Sequence, residues 1–222
     1  MQKRNATILY FHGNSQNITS HFLALGWLLI DGYEIIAFDY PGYGASSGSP
    51  TDELVYTTSL FVLNEVHHQL KMQNHSMIVF AQSLGSAIAL YAIPDMTDKS
   101  NLKGVIVEGS FASYSDIALE KADGFCLPPF TYLAKALIRD TYSPANRIAS
   151  ISPIPLLVIH GERDSIIPLS FGRAVYQLAA EPKKFMLIKN GRHLNWIYPG
   201  QAQYRNALKN ELDQMLGNAA VK

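Results

Sequence analysis

A serine between small residues is the first candidate for chemistry in this sequence. Residues 81–86 (AQSLGS) follow the apolar run 77–80 and precede a helix-like run. A tight strand-to-helix turn of small residues can expose a serine hydroxyl at the head of a sheet, on a strained backbone. We therefore predict that Ser83 is a nucleophile. The alternative is a polar helix cap, and Ala81 occupies a place where glycine is commoner.

A serine hydroxyl is a poor nucleophile near neutral pH, so it needs a base and a carboxylate that orients the base. After a serine turn of this kind, the acid and then the histidine follow along the chain, each on a loop after a strand. Asp164 and His193 fit that order and are predicted to be the acid and the general base. Asp164 could instead cap the next helix, and His193 could be a structural surface histidine.

Two other acids stay open as alternatives to Asp164. Glu162 lies on the same loop, and Glu108 ends an earlier strand run. Some proteins with this arrangement place the acid after that earlier strand.

The remaining histidines do not form a metal site. His67 and His68 are adjacent on a predicted helix and point to different sides of it. His12 and His160 would need a carboxylate partner, which the motifs around them do not offer. We therefore predict no metal and no cofactor.

A loop after the first strand run could stabilise negative charge on a reacting oxygen. Residues 12–15 (HGNS) form this loop, and we predict that the backbone N–H groups of Asn14 and Leu84 form an oxyanion hole. Each such donor can contribute a few kcal/mol to the transition state. Ser15 remains an alternative to Asn14.

The elements that would position these residues alternate along the chain. Short apolar runs without polar alternation indicate strands that are buried on both faces, and helix-length segments separate them. The predicted strands are 7–11, 34–38, 77–81, 104–107, 155–159 and 185–188. The predicted helices are 20–30, 51–73, 86–92, 169–179 and 201–216. The fold class is therefore α/β, with a doubly wound, mostly parallel sheet whose functional loops follow the strands.

One connection is much longer than a crossover needs. Residues 111–152 separate the fourth and fifth predicted strands and contain enough apolar residues to fold. We predict that they form a small cap insertion in a single domain, 1–222. Its apolar residues favour an apolar acyl group as ligand and are Phe125, Leu127, Phe130, Tyr132 and Leu133.

Composition excludes several classes of protein. The chain has 222 residues, of which 48% are hydrophobic, and 18 basic residues balance 18 acidic ones. No basic stripe is present, so nucleic acid is not an expected partner. A single cysteine, Cys126, excludes an intrachain disulfide, and no apolar run approaches the roughly 20 residues that span a bilayer. We expect a cytoplasmic protein without stable membrane insertion.

Several motifs together resemble a branch of the α/β-hydrolase superfamily, the abhydrolase-domain proteins with serine-aminopeptidase-like and depalmitoylase-like members. The motifs run in order through most of the chain: 11–14 (FHGN), 38–48 (FDYPGYGASSG), 82–85 (QSLG), 111–113 (FAS), 160–164 (HGERD) and His193. Pro41 departs from the arginine that is frequent in that branch. The chain begins at what resembles the third strand of the full fold, so the first two strands are expected to be lacking.

The resemblance implies a serine hydrolase that cleaves an ester or thioester, or else an amide, of a small-molecule acyl substrate through an acyl-enzyme. One alternative is a serine aminopeptidase-like peptidase. A second is a non-catalytic module that uses the hydrolase fold for binding.

Overall fold

A computed structural model describes residues 5–15, 17–123, 140–195 and 202–217. Its strands are β1 Thr7–Phe11, β2 Glu34–Ala37, β3 Met77–Gln82, β4 Leu102–Glu108, β5 Leu156–Gly161 and β6 Lys183–Ile188. They form one sheet in the order β2-β1-β3-β4-β5-β6, and every neighbouring pair is parallel. The predicted α/β class is confirmed, and all six predicted strands are present, with each end within two residues of its predicted position.

Five of the described helices lie between strands in sequence, and the sixth follows β6. They are α1 Ile18–His21, α2 Asp52–Met72, α3 Leu84–Ala92, α4 Tyr114–Asp123, α5 Leu169–Leu178 and α6 Ala202–Met215. At the start of α2 the Thr51 side chain accepts a hydrogen bond from the backbone N–H of Leu54, at 3.3 Å. Asp52 and Glu53 occupy its first turn, where the helix dipole favours negative charge. None of the helices in the described ranges is long and apolar enough to cross a bilayer.

The predicted helix 20–30 differs from the structure. The α-helix there covers only Ile18–His21, and two 3-10 turns follow it, Phe22–Ala24 and Gly26–Leu29. In the turns, backbone N–H groups bond to the carbonyl three residues back, as from Leu25 to Phe22 at 3.2 Å. Gly26 interrupts the run, since glycine is a poor helix former, and the ring of Phe22 packs against it.

Side chains of successive strand residues point to opposite faces of the sheet, and both faces are covered. Leu9 and Phe11 of β1 join a core with residues of α2, α3 and α5. Ile8 and Tyr10 join a second core, to which α6 contributes Leu208 and Leu212. Burial on both faces explains why the strands read as uninterrupted apolar runs. Within the described chain, β2 pairs only with β1 and therefore lies at one edge of the sheet.

The long connection between β4 and β5 is described at its two ends. Ala145 donates a backbone hydrogen bond to Ala112 at 3.1 Å, and Ser115 donates one to the Asp140 carboxylate at 3.0 Å. These bonds bring the two ends of the connection together. The predicted cap contacts fall outside the described residues, as do Phe125, Cys126, Leu127, Phe130, Tyr132 and Leu133. The cap therefore stays a prediction.

Candidate active site

Ser83 occupies the sharp turn between β3 and α3. Its backbone has φ 51° and ψ −119°, which is costly for a residue with a side chain, and its N–H donates to the carbonyl of Glu108 at 2.8 Å. The turn is tight because α3 begins directly against the end of β1. A Cβ atom at Gly85 would lie 2.5 Å from the carbonyl oxygens of Phe11 and His12, so only glycine fits there. The backbone geometry is that of a strand-to-helix serine turn.

The structure brings Ser83, His193 and Asp164 together at the carboxyl ends of the strands. His193 Nε2 lies 3.2 Å from Ser83 Oγ, and His193 Nδ1 lies 2.7 Å from Asp164 Oδ2. Asp164 follows β5 and His193 follows β6, so the three side chains come from three different loops at the same end of the sheet. The Asp164 side chain is buried, whereas that of His193 is partly exposed. One imidazole can therefore bond to the hydroxyl and to the carboxylate at once.

The two oxygens of Asp164 have separate partners. Oδ1 accepts backbone hydrogen bonds from Ile166 at 2.9 Å and from Ile167 at 2.8 Å, while Oδ2 faces His193. Asp164 thus caps its own loop and contacts the histidine at the same time. Burial acts to raise the pKa of Asp164, but the hydrogen bonds from His193 and the loop amides outweigh it and hold the pKa below its usual value. The carboxylate is therefore ionised at neutral pH.

Backbone hydrogen bonds join the loop after β5, which carries Asp164 (the acid loop), to the loop after β6, which carries His193 (the histidine loop). Arg163 donates to the carbonyl of Gly191 at 2.7 Å, and Glu162 donates to that of Ile188 at 3.0 Å. The side chain of Glu162, one of the alternative acids, accepts the backbone N–H of Asn190 at 2.8 Å. Glu162 therefore supports the histidine loop, and it is Asp164 that reaches the imidazole.

The imidazole of His193 packs against Gly109, the residue directly after β4. Sequence reasoning did not identify this glycine. Gly109 has φ 57°, and a Cβ atom there would lie 2.9 Å from His193 Cε1. The preceding residue, Glu108, is the other alternative acid, and its Oε2 accepts a 2.6 Å hydrogen bond from Gln82. The available signal was a glycine directly after a buried strand, where a close backbone approach is common.

Two tyrosines form hydrogen bonds with the loop 12–15, which lies beside Ser83. Tyr40 donates its hydroxyl to the carbonyl of His12 at 2.9 Å, and Tyr43 donates to Asn14 Oδ1 at 2.7 Å. A Cβ atom at Gly13 would lie 3.6 Å from Ser83 Cβ, so the loop runs beside the serine. Both tyrosines belong to the glycine-rich segment 38–48. That segment therefore positions the loop that carries Asn14.

The expectation that His12 and His160 lack a carboxylate neighbour was wrong. His12 Nε2 lies 3.4 Å from Asp39 Oδ1, and His160 Nε2 lies 3.7 Å from Asp164 Oδ2 and 2.8 Å from the carbonyl of Ile167. Both imidazoles are fully buried, and burial is the main cause that lowers the pKa of each. They are neutral histidines that support the loops on either side of Ser83.

A pocket opens next to the serine turn and has a cavity volume of about 90 Å³. Leu84, the residue after Ser83, forms part of its wall. Its other described lining residues are Tyr40, Tyr43, Pro50, Asp52, Val55, Tyr56, Ile88, Tyr91, Tyr114 and Tyr142. A concave, largely apolar site beside a reactive group is where a small-molecule substrate usually binds.

A parallel sheet of this order, with a serine turn after β3 and loops carrying an acid and a histidine after β5 and β6, is an α/β-hydrolase fold. The sequence profile of the family described as serine aminopeptidase, S33, matches residues 2–133. This chain therefore belongs to that hydrolase family.

One relative and two solved structures are similar to this chain. The uncharacterized protein YfhR of Escherichia coli (strain K12) is 35% identical over 190 residues, which are 86% of this chain and 63% of YfhR. An esterase from Exiguobacterium antarcticum is 18% identical with a TM-score of 0.68, over 95% of this chain and 92% of the esterase. A monoglyceride lipase from Saccharomyces cerevisiae is 16% identical with a TM-score of 0.70, over 97% and 88% of the two chains. The two structures show the shared fold.

Proposed function

We propose that this protein is a serine hydrolase that cleaves an ester or thioester through an acyl-enzyme. The observation that carries the proposal is the continuous contact from Ser83 Oγ through the His193 imidazole to Asp164, at 3.2 Å and 2.7 Å. A carboxylate that accepts a hydrogen bond from Nδ1 leaves Nε2 free to take the hydroxyl proton. The arrangement supports nucleophilic catalysis by Ser83 with His193 as general base.

In the proposed reaction Ser83 Oγ attacks the carbonyl carbon of the substrate while its proton passes to His193 Nε2. The tetrahedral intermediate collapses, the bond to the leaving oxygen or sulfur breaks, and His193 returns the proton to the leaving group. Water then attacks the acyl-enzyme with His193 again as base, which releases the acid and restores Ser83.

Backbone N–H groups of Asn14 and Leu84 are the proposed donors to the developing oxyanion. Leu84 begins α3, where the first N–H groups of a helix have no partner within the helix. Asn14 follows Gly13, which lies beside Ser83, and its side chain is fixed by Tyr43. Donors fixed before the reaction stabilise the oxyanion without reorganising during it.

The pocket beside Leu84 supports a small-molecule acyl compound as substrate. The names of the two structural neighbours, an esterase and a monoglyceride lipase, favour an oxygen ester. The family description favours a second candidate, removal of an amino-terminal residue from a peptide. A shared chemistry of acyl transfer to serine underlies both.

The proposal is tested by release of p-nitrophenol from short and medium acyl esters and by labelling with a fluorophosphonate probe. The proteins compared are the wild type, Ser83→Ala and Ser150→Ala. Ser150 is exposed in the 3-10 turn before β5, so its replacement is a control for loss of a serine hydroxyl that is not part of the proposed triad. We expect hydrolysis and labelling in the wild type and Ser150→Ala, and neither in Ser83→Ala.

A folded wild type that neither hydrolyses these esters nor labels would contradict the proposal and favour a binding module. An amino-acyl p-nitroanilide, tested alongside the esters, separates the two enzymatic candidates. Preference for that amide by more than tenfold in kcat/KM, on the order of 1.4 kcal/mol, would favour the peptidase.

A further inference from the structure

The pocket beside the serine turn has a wall of tyrosine rings. Six of its described lining residues are tyrosines: Tyr40, Tyr43, Tyr56, Tyr91, Tyr114 and Tyr142. An apolar acyl group needs only aliphatic walls, which Leu84, Ile88 and Val55 provide on their own. So many aromatic faces in one pocket are suited to another ligand chemistry, because a π face attracts a positive charge.

Three of these rings form a compact group. The ring centroids are 5.3 Å apart for Tyr56 and Tyr91, 5.5 Å for Tyr56 and Tyr142, and 5.3 Å for Tyr91 and Tyr142. The group already binds one cation of the protein itself, because the guanidinium of Arg147 lies 4.4 Å from the ring centroid of Tyr91. These rings therefore have the geometry that a cation–π contact requires.

The positive charge of Arg147, beside this pocket, is neutralised by a carboxylate. Its guanidinium forms an ion pair with Asp95, and the same carboxylate accepts the hydroxyl of Tyr56 at 2.6 Å. Among the described lining residues there is no lysine or arginine. The pocket wall thus lacks a positive charge of its own that would repel a cation.

A carboxylate at the wall adds a negative charge. Asp52 lines the pocket from the first turn of α2, and within the described chain it has no ion-pair partner. Asp52 and Glu53 together carry two negative charges, which exceed the roughly half positive charge at a helix N-terminus. The field of Asp52 reaches the pocket interior: after burial, it is the main cause that raises the pKa of Tyr114.

We propose that the tyrosine pocket binds a positively charged group of the substrate, a quaternary ammonium or a protonated amine. This inference rests on the proposed function, because it places the cation on the molecule that Ser83 attacks. Leu84 connects the pocket to the serine turn, and Tyr43 both lines the pocket and donates a hydrogen bond to Asn14. A cation held between the rings and Asp52 would anchor the substrate next to the nucleophile.

Competition between two molecules of equal shape tests the charge preference. Choline and its uncharged isostere neohexyl alcohol are compared as competitive inhibitors of p-nitrophenyl acetate hydrolysis by the full chain. We expect the inhibition constant of choline to be lower than that of the alcohol by about tenfold, the size of a partly desolvated cation–π contact with a nearby carboxylate.

Two variants test whether the preference for choline depends on the charge of Asp52. Asp52→Asn should raise the inhibition constant of choline about fivefold and leave that of neohexyl alcohol unchanged, because the amide keeps the shape and removes the charge. Glu65→Gln is the matched control, since Glu65 is an exposed carboxylate on the same helix, bonded to Gln69. It should alter neither constant.

Equal inhibition by choline and neohexyl alcohol would overturn the proposal, and so would a choline constant that Asp52→Asn leaves unchanged. Either result leaves ester hydrolysis by Ser83 intact, so the two proposals fail separately. If the wild type does not hydrolyse the ester, binding of both molecules to Ser83→Ala is measured by saturation-transfer NMR. Choline binding that is weakened by Asp52→Asn would support the cation site. If choline does not bind, or if Asp52→Asn does not weaken its binding, the cation site is overturned.

Discussion

Gly109 presents bare backbone to the imidazole of His193: a Cβ atom at Gly109 would lie 2.9 Å from Cε1 and 3.1 Å from Nδ1. The space that a methyl group would fill is therefore occupied by the proposed general base. Since His193 reaches both Ser83 and Asp164 from this position, a small displacement of the ring would disturb both contacts.

We expect Gly109→Ala to lower kcat/KM for p-nitrophenyl esters by about tenfold to a hundredfold, because a misplacement of about 1 Å at a reacting group has effects of that size. Gly217→Ala is the matched control, since Gly217 also has a positive φ but has no atom within 4 Å of its added Cβ. Gly109→Ala activity within twofold of the control would contradict the packing argument. Circular dichroism of both variants checks that they fold.

Replacement of Asp164 by asparagine should affect turnover far more than substrate binding. An amide nitrogen opposite Nδ1 favours the wrong tautomer of His193, and such a change at a buried triad aspartate reduces kcat by about 10³ to 10⁴ fold. Glu162→Gln is the comparison, because Glu162 bonds to Asn190 and should retain most activity. Steady-state kinetics decides between the acids: an equal loss in both variants would contradict the assignment of Asp164.

We expect the hydroxyl of Tyr43 to raise kcat, because it positions Asn14. In Tyr43→Phe the ring remains while the 2.7 Å bond to Asn14 Oδ1 is lost, so the loop with the proposed oxyanion donor becomes less fixed. One hydrogen bond of about 1 kcal/mol corresponds to a fall in kcat of about fivefold, with little change in KM. Tyr176→Phe, whose ring packs on Phe185, is the control. A change in KM alone would show that the loop is unaffected.

Buried histidines should make the protein sensitive to mild acid. Burial is the main cause that lowers the pKa of His12, His67 and His160. The unfolded chain, with histidine pKa values near 6.5, then binds more protons than the folded chain as the pH falls. Their contribution to stability is therefore complete above about pH 6.5 and is lost below it.

Urea unfolding between about pH 7 and pH 5 measures this dependence, and we expect the free energy of unfolding to fall with pH. His67→Leu should flatten the slope by up to about one proton. His68→Leu is the control, because His68 is adjacent on α2 and exposed. A wild-type stability that is constant over this range would contradict the expectation.

Local sequence patterns predicted the sheet and the order of the proposed triad. The apolar runs marked the strands because a strand buried on both faces tolerates few polar residues, and the small residues around Ser83 marked the turn. The chain order of serine, acid and histidine then limited the choice to loops after later strands.

The contacts between loops could not be predicted in the same way. His12 meets Asp39, and Gly109 meets His193, across 27 and 84 residues of chain, distances that no local pattern spans. The segment 20–30 was also misassigned, since its apolar spacing is helical while its bonds follow the 3-10 pattern. Periodicity alone does not separate these two helices over so short a run.

Tyr40 carries two tasks at once. Its hydroxyl bonds to the carbonyl of His12, in the loop beside Ser83, while its ring lines the pocket beside Leu84. A mutation that reshaped the pocket at this position for a new substrate would also loosen the loop that serves the reaction. For the proposed hydrolase, substrate preference is therefore easiest to change at Tyr56, Tyr91 and Tyr142, which line the pocket and, in the described residues, form no hydrogen bond with that loop.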